Sequence, residues 1–191
     1  MTPSTEAAEP GTISATNSID LLRAIGAHEM RHPGGTLMEH LLRIRDLLAS
    51  WGAPEYVQQS GLLHAVFAPD GSEDPMFTML DLSYRPLVET IAGPRAAELI
   101  YFYGACDREY TYPRITEPAE QWRDRFTGEV RTPEPSLLRD LMEVTAANEV
   151  DICSHRPEFK AAHGEYLFGF FSTARHLLSP VAWQQCQDHL L

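Results

Sequence analysis

The chain has 191 residues, of which 43% are hydrophobic, and this size suits one buried core better than two independently folding domains. Its 15 basic and 27 acidic residues give a net charge of −12, which repels phosphate backbones and anionic membranes. We therefore predict no nucleic-acid partner and no membrane partner. Three widely spaced cysteines without a CxxC motif are typical of reduced thiols in a cytoplasmic protein.

Residues 1–17 have the composition of a disordered tail. They contain Pro, Gly, Ser, Thr and Glu but almost no large apolar side chain, so burial cannot offset their ordering entropy. They also lack the basic start and the apolar stretch of a signal peptide. Residues 18–191 are predicted to form a single domain. Helix signals are frequent in it and strand-type alternation is nearly absent, so we predict an all-α fold, a helical bundle.

Capping and turn signals predict helices that begin near residues 18, 37, 54, 76, 86, 94, 137, 157 and 180. The sequence HPGG at residues 32–35 separates the first two helices, and Thr36 with Glu39 makes a capping box for the second. The third helix is predicted to stop at Ala68. Ser136 is the predicted cap of the long helix that begins near residue 137.

Residues 107–135 are predicted to form a long loop or lid that contains one short helix, because aromatic and arginine side chains alternate there with prolines. Arg108, Tyr112 and Arg114 are candidate substrate-binding residues, since arginine can hold a carboxylate or phosphate with two hydrogen bonds. A solvated amphipathic loop explains the same composition. His32, in the HPGG turn, and Asp70, after the third helix, are two further candidates for binding a substrate.

The strongest candidate site consists of two histidines on consecutive helices and an amide on a later one. His40 follows the apolar stripe of the second helix, His64 that of the third, and Asn148 that of the long helix. These positions lie in the segments EHLLRIRDLL, SGLLHAVF and VTAANEVDI. A buried amide needs hydrogen-bond partners, and a histidine is a suitable one. We predict that His40, His64 and Asn148 share one site, with Asp151 one helical turn beyond Asn148.

These segments resemble the HD superfamily of all-helical domains over roughly residues 36–152. The segment LVETIAGPRAAELIYFYGACDR is similar to the part of the guanosine tetraphosphate hydrolase branch that follows its His-Asp pair. In that family, a His, a His-Asp pair and a later Asp bind one or two divalent metals. Here Ala65 replaces the first Asp and Asn148 replaces the second, so two anionic ligands are missing. Asp151 is the best replacement carboxylate.

Three functions are compatible with these features. The resemblance implies an enzyme of small-molecule metabolism in which His40 and His64 hold one divalent metal. That metal would activate a water for hydrolysis of a phosphorylated or nucleotide-like compound. A second possibility is a metal-free enzyme that uses these histidines as general acid and base on an organic substrate, with Asn148 orienting one of the two rings. The third is a noncatalytic ligand-binding module. The aromatic residues near 166–171 belong either to the core or to the seam of a homodimer.

Overall fold

The structure, a computed structural model, describes residues 13–67, 80–115 and 120–191. Over these residues it is predominantly helical, which confirms the all-α class. Of the predicted tail, residues 1–12 lie outside the described part, whereas Ile13 and Ala15 pack against a hydrophobic cluster. None of the described helices has the length and apolarity that crossing a membrane requires.

The described helices are α1 (Ser18–Ala24), α2 (Leu37–Ser50), α3 (Glu55–Leu63), α4 (Arg85–Ala92), α5 (Pro94–Gly104), α6 (Arg108–Thr111), α7 (Pro135–His155), α8 (Pro157–Thr173) and α9 (Pro180–Leu190). Short 3-10 turns occupy Leu82–Tyr84, Tyr112–Arg114 and Arg175–Leu177. Two antiparallel hairpins pair β1 (Arg31–His32) with β2 (Gly35–Thr36), and β3 (Trp122–Arg123) with β4 (Val130–Arg131). The sequence signals predicted neither hairpin.

Two hydrophobic clusters form the core, and α2, α3 and α5 contribute to both. The larger cluster joins the second half of α2 to α7, α8 and α9, whereas the smaller one joins its first half to α1 and α4. Helix α2 packs on α3 along one side and on α7 along another. Residues on the first turns of α2 therefore lie between α3 and α7, the helices predicted to carry the partners of His40.

The structure corrects two predicted helix boundaries. Helix α3 ends at Leu63 rather than at Ala68, because the imidazole of His64, the C-cap residue, donates its Nδ1 hydrogen to the carbonyl of Gly61 at 2.7 Å. That carbonyl would otherwise accept a bond from the next turn of helix. Helix α7 begins at Pro135 with Glu134 as its N-cap, so Ser136 is not the cap. Proline lacks an N–H and fits the first helical position.

Other helix predictions agree with the structure. Thr36 and Glu39 form the predicted capping box of α2, and Asn17 caps α1. Gly93, with a φ of 83°, separates α4 from α5, and both helices begin within one residue of the predicted starts. The helix predicted to begin near residue 76 starts outside the described residues, and a 3-10 turn lies at its end.

The predicted lid, residues 107–135, is fastened to the rest of the fold. It contains the short helix α6 and the β3–β4 hairpin. Arg123 donates from Nε to Asp107 Oδ2 at 2.7 Å, and Arg125 donates from Nε to the carbonyl of Gly104 at 2.8 Å. Trp122 is buried and stacks on Phe102, with ring centroids 4.3 Å apart. This segment is therefore a packed part of the fold on both sides of residues 116–119, which the structure does not describe.

Candidate functional site

The start of α2 places His40 inside the protein. Thr36 accepts a hydrogen bond from the backbone N–H of Glu39 at 3.2 Å, and the Glu39 carboxylate accepts one from the backbone N–H of Thr36 at 2.7 Å. This capping box begins the helix at Leu37, so His40 lies in the first turn, on the face that packs against α7. Its side chain is only 1% exposed.

Both ring nitrogens of His40 are hydrogen-bonded to side chains of α7. Nδ1 lies 2.7 Å from Oδ2 of Asp151, and Nε2 lies 3.1 Å from Oδ1 of Asn148. Asn148 and Asp151 are three residues apart on α7, so they share the face that meets α2. The structure thus brings together three residues that the sequence predicted for one site.

The partners of His40 present a hydrogen-bond acceptor to each of its ring nitrogens. The amide nitrogen of Asn148 donates to Oε1 of Glu149 at 3.2 Å, which turns the amide oxygen towards His40. On the other side, Asp151 presents a buried carboxylate oxygen. An amide oxygen and a carboxylate both accept, so the site orients the ring through both of its nitrogens.

Arg43 completes the surroundings of Asp151. Its guanidinium donates from Nε to Oδ1 at 2.7 Å and from Nη2 to Oδ2 at 2.9 Å, which is a bidentate ion pair. Burial alone would raise the pKa of Asp151, but the hydrogen bonds from His40 and Arg43 outweigh burial and lower it to about 2. Asp151 is therefore a carboxylate shared between His40 and Arg43. We call Arg43, Asp151, His40, Asn148 and Glu149 the hydrogen-bond chain.

His32 and His64 flank His40. The ring of His32 stacks on that of His40 with centroids 4.1 Å apart, and His64 meets it edge-on at 5.6 Å. Burial, followed by the positive charge of His40, lowers the pKa of His64 to about 3 and that of His32 to about 4. Both rings are neutral near pH 7. Because His64 Nδ1 donates to Gly61, its Nε2 carries a lone pair.

A second group of polar side chains continues from Glu149. Burial raises the pKa of the Glu149 carboxyl, against the opposing charge of Arg108. Arg108 lies over the ring of Tyr103, 5.2 Å from its centroid, and that ring meets His64 at 4.9 Å. Burial raises the pKa of Tyr103 to about 12, so the phenol stays protonated. Arg108 is thus an electrostatic neighbour of both His64 and Glu149.

The remaining predicted substrate-binding residues are in different places. Tyr112 is an electrostatic neighbour of Arg108, and its ring stacks on Phe170 with centroids 4.6 Å apart, at the wall of a 450 Å³ surface pocket. Arg114 donates to the carbonyl of Tyr110 at 2.8 Å, and its guanidinium lies over the Tyr110 ring. Its described contacts are therefore with Tyr110 and not with the histidines. Asp70 lies outside the described part of the chain.

Sequence reasoning missed three residues of this site. Arg43 follows His40 by three residues, a helical spacing that places both side chains towards the same neighbour. That spacing was available in the sequence. Glu149 follows Asn148 directly and points away from the apolar stripe, and Tyr103 is one of several aromatics in α5. No local signal distinguishes these two residues.

The donor atoms do not fit a divalent-metal centre of the HD type. Asp151 and Asn148 already engage both ring nitrogens of His40, and three hydrogen bonds from His40 and Arg43 engage the Asp151 carboxylate. The described residues contain no group of three or more His, Cys, Asp or Glu side chains placed to hold a metal ion. A metal on His40 would have to break the bond to Asp151 or to Asn148.

One family model matches part of the chain. Residues 21–108 are similar to a domain of unknown function, DUF6817. This stretch runs from α1 to the first residue of α6 and contains His32, His40 and His64, but neither Asn148 nor Asp151. No curated protein and no solved structure matches the chain.

Proposed function

We propose that this protein is an enzyme of small-molecule metabolism that uses acid–base chemistry on an organic substrate and needs no metal. The observation that carries the proposal is the position of the His40 ring, fixed between Asp151 and Asn148 through both of its nitrogens. A histidine oriented on both nitrogens by a carboxylate and an amide is typical of proton-transfer sites. The HD resemblance remains an expectation within this proposal.

The proton-exchanging group of this site is Glu149. It is half-buried and ends the hydrogen-bond chain, where the amide of Asn148 links it to His40. Burial raises the pKa of this carboxyl, a kind of shift that is common in groups that give and take protons in active sites. His64 supplies a neutral hydrogen-bond acceptor at Nε2. His40, Asn148 and Asp151 orient these groups rather than react.

Arg108 and Tyr112 fit the role of substrate anchors. Arg108 is an electrostatic neighbour of Glu149 and of Tyr112, and Tyr112 lines the 450 Å³ pocket, which is within the size range of small-molecule sites. Tyr166 and Phe170 give that pocket aromatic walls. We therefore expect a substrate with an apolar or ring-containing part and a polar, preferably anionic, group.

The first experiment measures metal content and ligand binding. Protein purified without chelator should contain no stoichiometric metal, and adding a chelator should leave its thermal unfolding unchanged. A thermal-shift screen of small metabolites should identify a binder, which is then tested for turnover. Stoichiometric metal that is lost in His64→Ala would contradict the proposal and favour metal-dependent hydrolysis.

Glu149→Gln tests the acid–base step once a binder is known. The amide keeps the size of the side chain and still accepts the bond from Asn148, but it cannot exchange a proton. We expect binding to persist and turnover to fall by at least about a hundredfold, the usual contribution of a general acid or base. Glu158→Gln, an exposed carboxylate at the start of α8, is the matched control and should leave both unchanged.

A noncatalytic binding module is the second candidate, and one observation favours it. His40 and His64 are only 1% and 3% exposed, so their rings lie within packing that a ligand does not enter without movement. This candidate predicts that a bound compound is recovered chemically unchanged. It also predicts that Glu149→Gln affects affinity alone.

A further inference from the structure

The turn that covers His40 is fastened by an arginine of the neighbouring helix. The turn comprises His32, Pro33, Gly34 and Gly35 between β1 and β2. Arg43 donates from Nη2 to the carbonyl of Pro33 at 2.9 Å and from Nη1 to the carbonyl of Gly34 at 3.3 Å. The same guanidinium holds Asp151 by two further bonds. One side chain thus connects the turn to the carboxylate that holds His40.

Close contacts show that the turn fits against this arginine. Gly34 has a φ of 76°, a backbone conformation that favours glycine. A Cβ atom at this position would lie 2.7 Å from Cδ2 of His155 and 3.0 Å from Nη2 of Arg43. The ring of His155 is itself held, because its Nδ1 donates to the carbonyl of Asp151 at 2.9 Å. The turn can therefore approach α2 and α7 this closely only with glycine at position 34.

The result of this docking is the stack of His32 on His40. The two rings lie 4.1 Å apart and are inclined by 27°. His32 is half-buried, and its Nδ1 is buried without a hydrogen-bond partner among the described residues. Among the described residues, no hydrogen bond of Nδ1 holds the ring over His40. The position of the ring therefore depends on how the turn is anchored.

We propose that Arg43 is a positioning residue that fixes the 32–35 turn over His40 by binding Asp151 and the carbonyls of Pro33 and Gly34 together. The planar guanidinium is required, because it directs two donor contacts to the Asp151 carboxylate and two to the backbone carbonyls of the turn. A lysine ammonium keeps the charge but has three donors on one atom, so it can pair with Asp151 without holding the turn. This inference extends the proposed site, but its test does not use metal binding or turnover.

The test compares Arg43→Lys and Arg43→Gln with Arg45→Gln. Arg45 lies on the same helix and forms an exposed ion pair with Asp46, so its variant is the matched control for loss of a positive charge. NMR cross-relaxation between the ring protons of His32 and His40 reports the stack. Amide hydrogen exchange at Leu37, which donates to the carbonyl of Met30 at 2.9 Å, reports the anchoring of the segment before α2.

We expect both Arg43 variants to lose the ring contact and to exchange the Leu37 amide about tenfold faster, as a local opening does. Amides in the middle of α7 should exchange as in the unchanged protein, and Arg45→Gln should show no effect. Ring contacts that persist in Arg43→Gln would overturn the inference. So would faster exchange of equal size in α7, which would mean a general loss of stability.

Gly34→Ala gives a second route to the same answer if Arg43→Gln does not fold. It leaves all four Arg43 donors in place but pushes the turn away from His155 and Arg43. We expect loss of the His32–His40 contact with little change in α7 exchange. A retained contact would show that the turn is held by something other than its fit against Arg43, and the inference would fail.

Discussion

His40 lies 2.7 Å from Asp151 although 111 residues separate them in the chain, and this contact joins the first turn of α2 to α7. The bond is buried, and the guanidinium of Arg43 pairs with both oxygens of the same carboxylate. Breaking such a pair by removing one charge leaves the other uncompensated in a dry environment. The contact therefore matters both for stability and for the orientation of the site.

Asp151→Asn should lower the free energy of unfolding at pH 7 by about 3 kcal/mol, the usual cost of removing one partner from a buried pair. Chemical denaturation at pH 7 measures this. The matched control is Asp46→Asn, which removes a carboxylate from the exposed pair with Arg45 and should change little. A small effect of Asp151→Asn would mean that the carboxylate is not needed to hold His40 and Arg43 in the folded protein.

The same carboxylate predicts how the protein responds to acid. Its folded pKa is about 2, below the unfolded value of 3.8, so the unfolded chain binds more protons between these values. The stability from Asp151 is fully present above pH 3.8 and is lost as pH falls towards 2, in total about 2 kcal/mol. Asp151→Asn should lack this part of the acid response. An unchanged acid limb would contradict it.

Helix α3 approaches α2 at Gly61, and this contact sets the distance between His64 and His40. A Cβ atom on Gly61 would lie 2.4 Å from Cδ1 of Leu48 and 3.0 Å from Cγ2 of Ile44. Gly61→Ala should therefore separate the helices and lower the free energy of unfolding by about 1–3 kcal/mol. Denaturant melts of the variant measure this loss.

Gly169→Ala is the control for Gly61→Ala, because it is the same substitution inside another helix. A Cβ atom there meets nothing within 4 Å. The variant should become more stable by about 0.5–1 kcal/mol, since alanine loses less backbone entropy in a helix than glycine. Equal effects of the two variants would show that the approach of α2 to α3 is not what Gly61 provides.

The cap of α2 gives a prediction about the stability of the helix that carries His40. Thr36→Ala removes the hydroxyl that accepts from the backbone N–H of Glu39 and should cost about 1 kcal/mol. Thr36→Ser keeps an acceptor and should retain most of that stability. If the two variants were equally stable in a thermal melt, the capping box would not be what starts the helix.

The fold was predictable where its signals are local. A capping box, a Pro-Gly turn or a proline at the first helical turn acts within a few residues, so the starts of α1, α2, α5, α8 and α9 followed from the sequence. The end of α3 did not, because it depends on the imidazole of His64 turning back to Gly61. The β3–β4 hairpin was missed because its strands have only two residues each.

The site was predictable in part for the same reason. Asn148 and Asp151 lie on the stripe of α7 that must be buried, so their meeting with His40 followed from helical periodicity. Glu149 lies off that stripe. Its electrostatic neighbour Arg108 is the first residue of α6, which lies 41 positions earlier in the chain. Such a contact is set by tertiary packing, and no spacing in the sequence encodes it.

The neutral state of His64 gives the most direct test of the electrostatics. Burial and the charge of His40 lower its folded pKa to about 3, against 6.5 in the unfolded chain. Between these values the unfolded chain binds the proton and the folded one does not, so stability falls as pH drops below 6.5. At pH 4.5, two units below, the loss from this group is about 3 kcal/mol.

His64→Asn should remove that loss. The amide nitrogen of asparagine can take the place of Nδ1 and still donate to Gly61, but the side chain does not titrate. The variant should start less stable at pH 7, where it has lost the packing of the ring on Tyr103, and should then lose about 3 kcal/mol less than the unchanged protein on acidification to pH 4.5. Urea denaturation at the two pH values measures the difference. If the two proteins lost the same amount, folding would not lower the pKa of His64, and burial would not be what keeps its ring neutral.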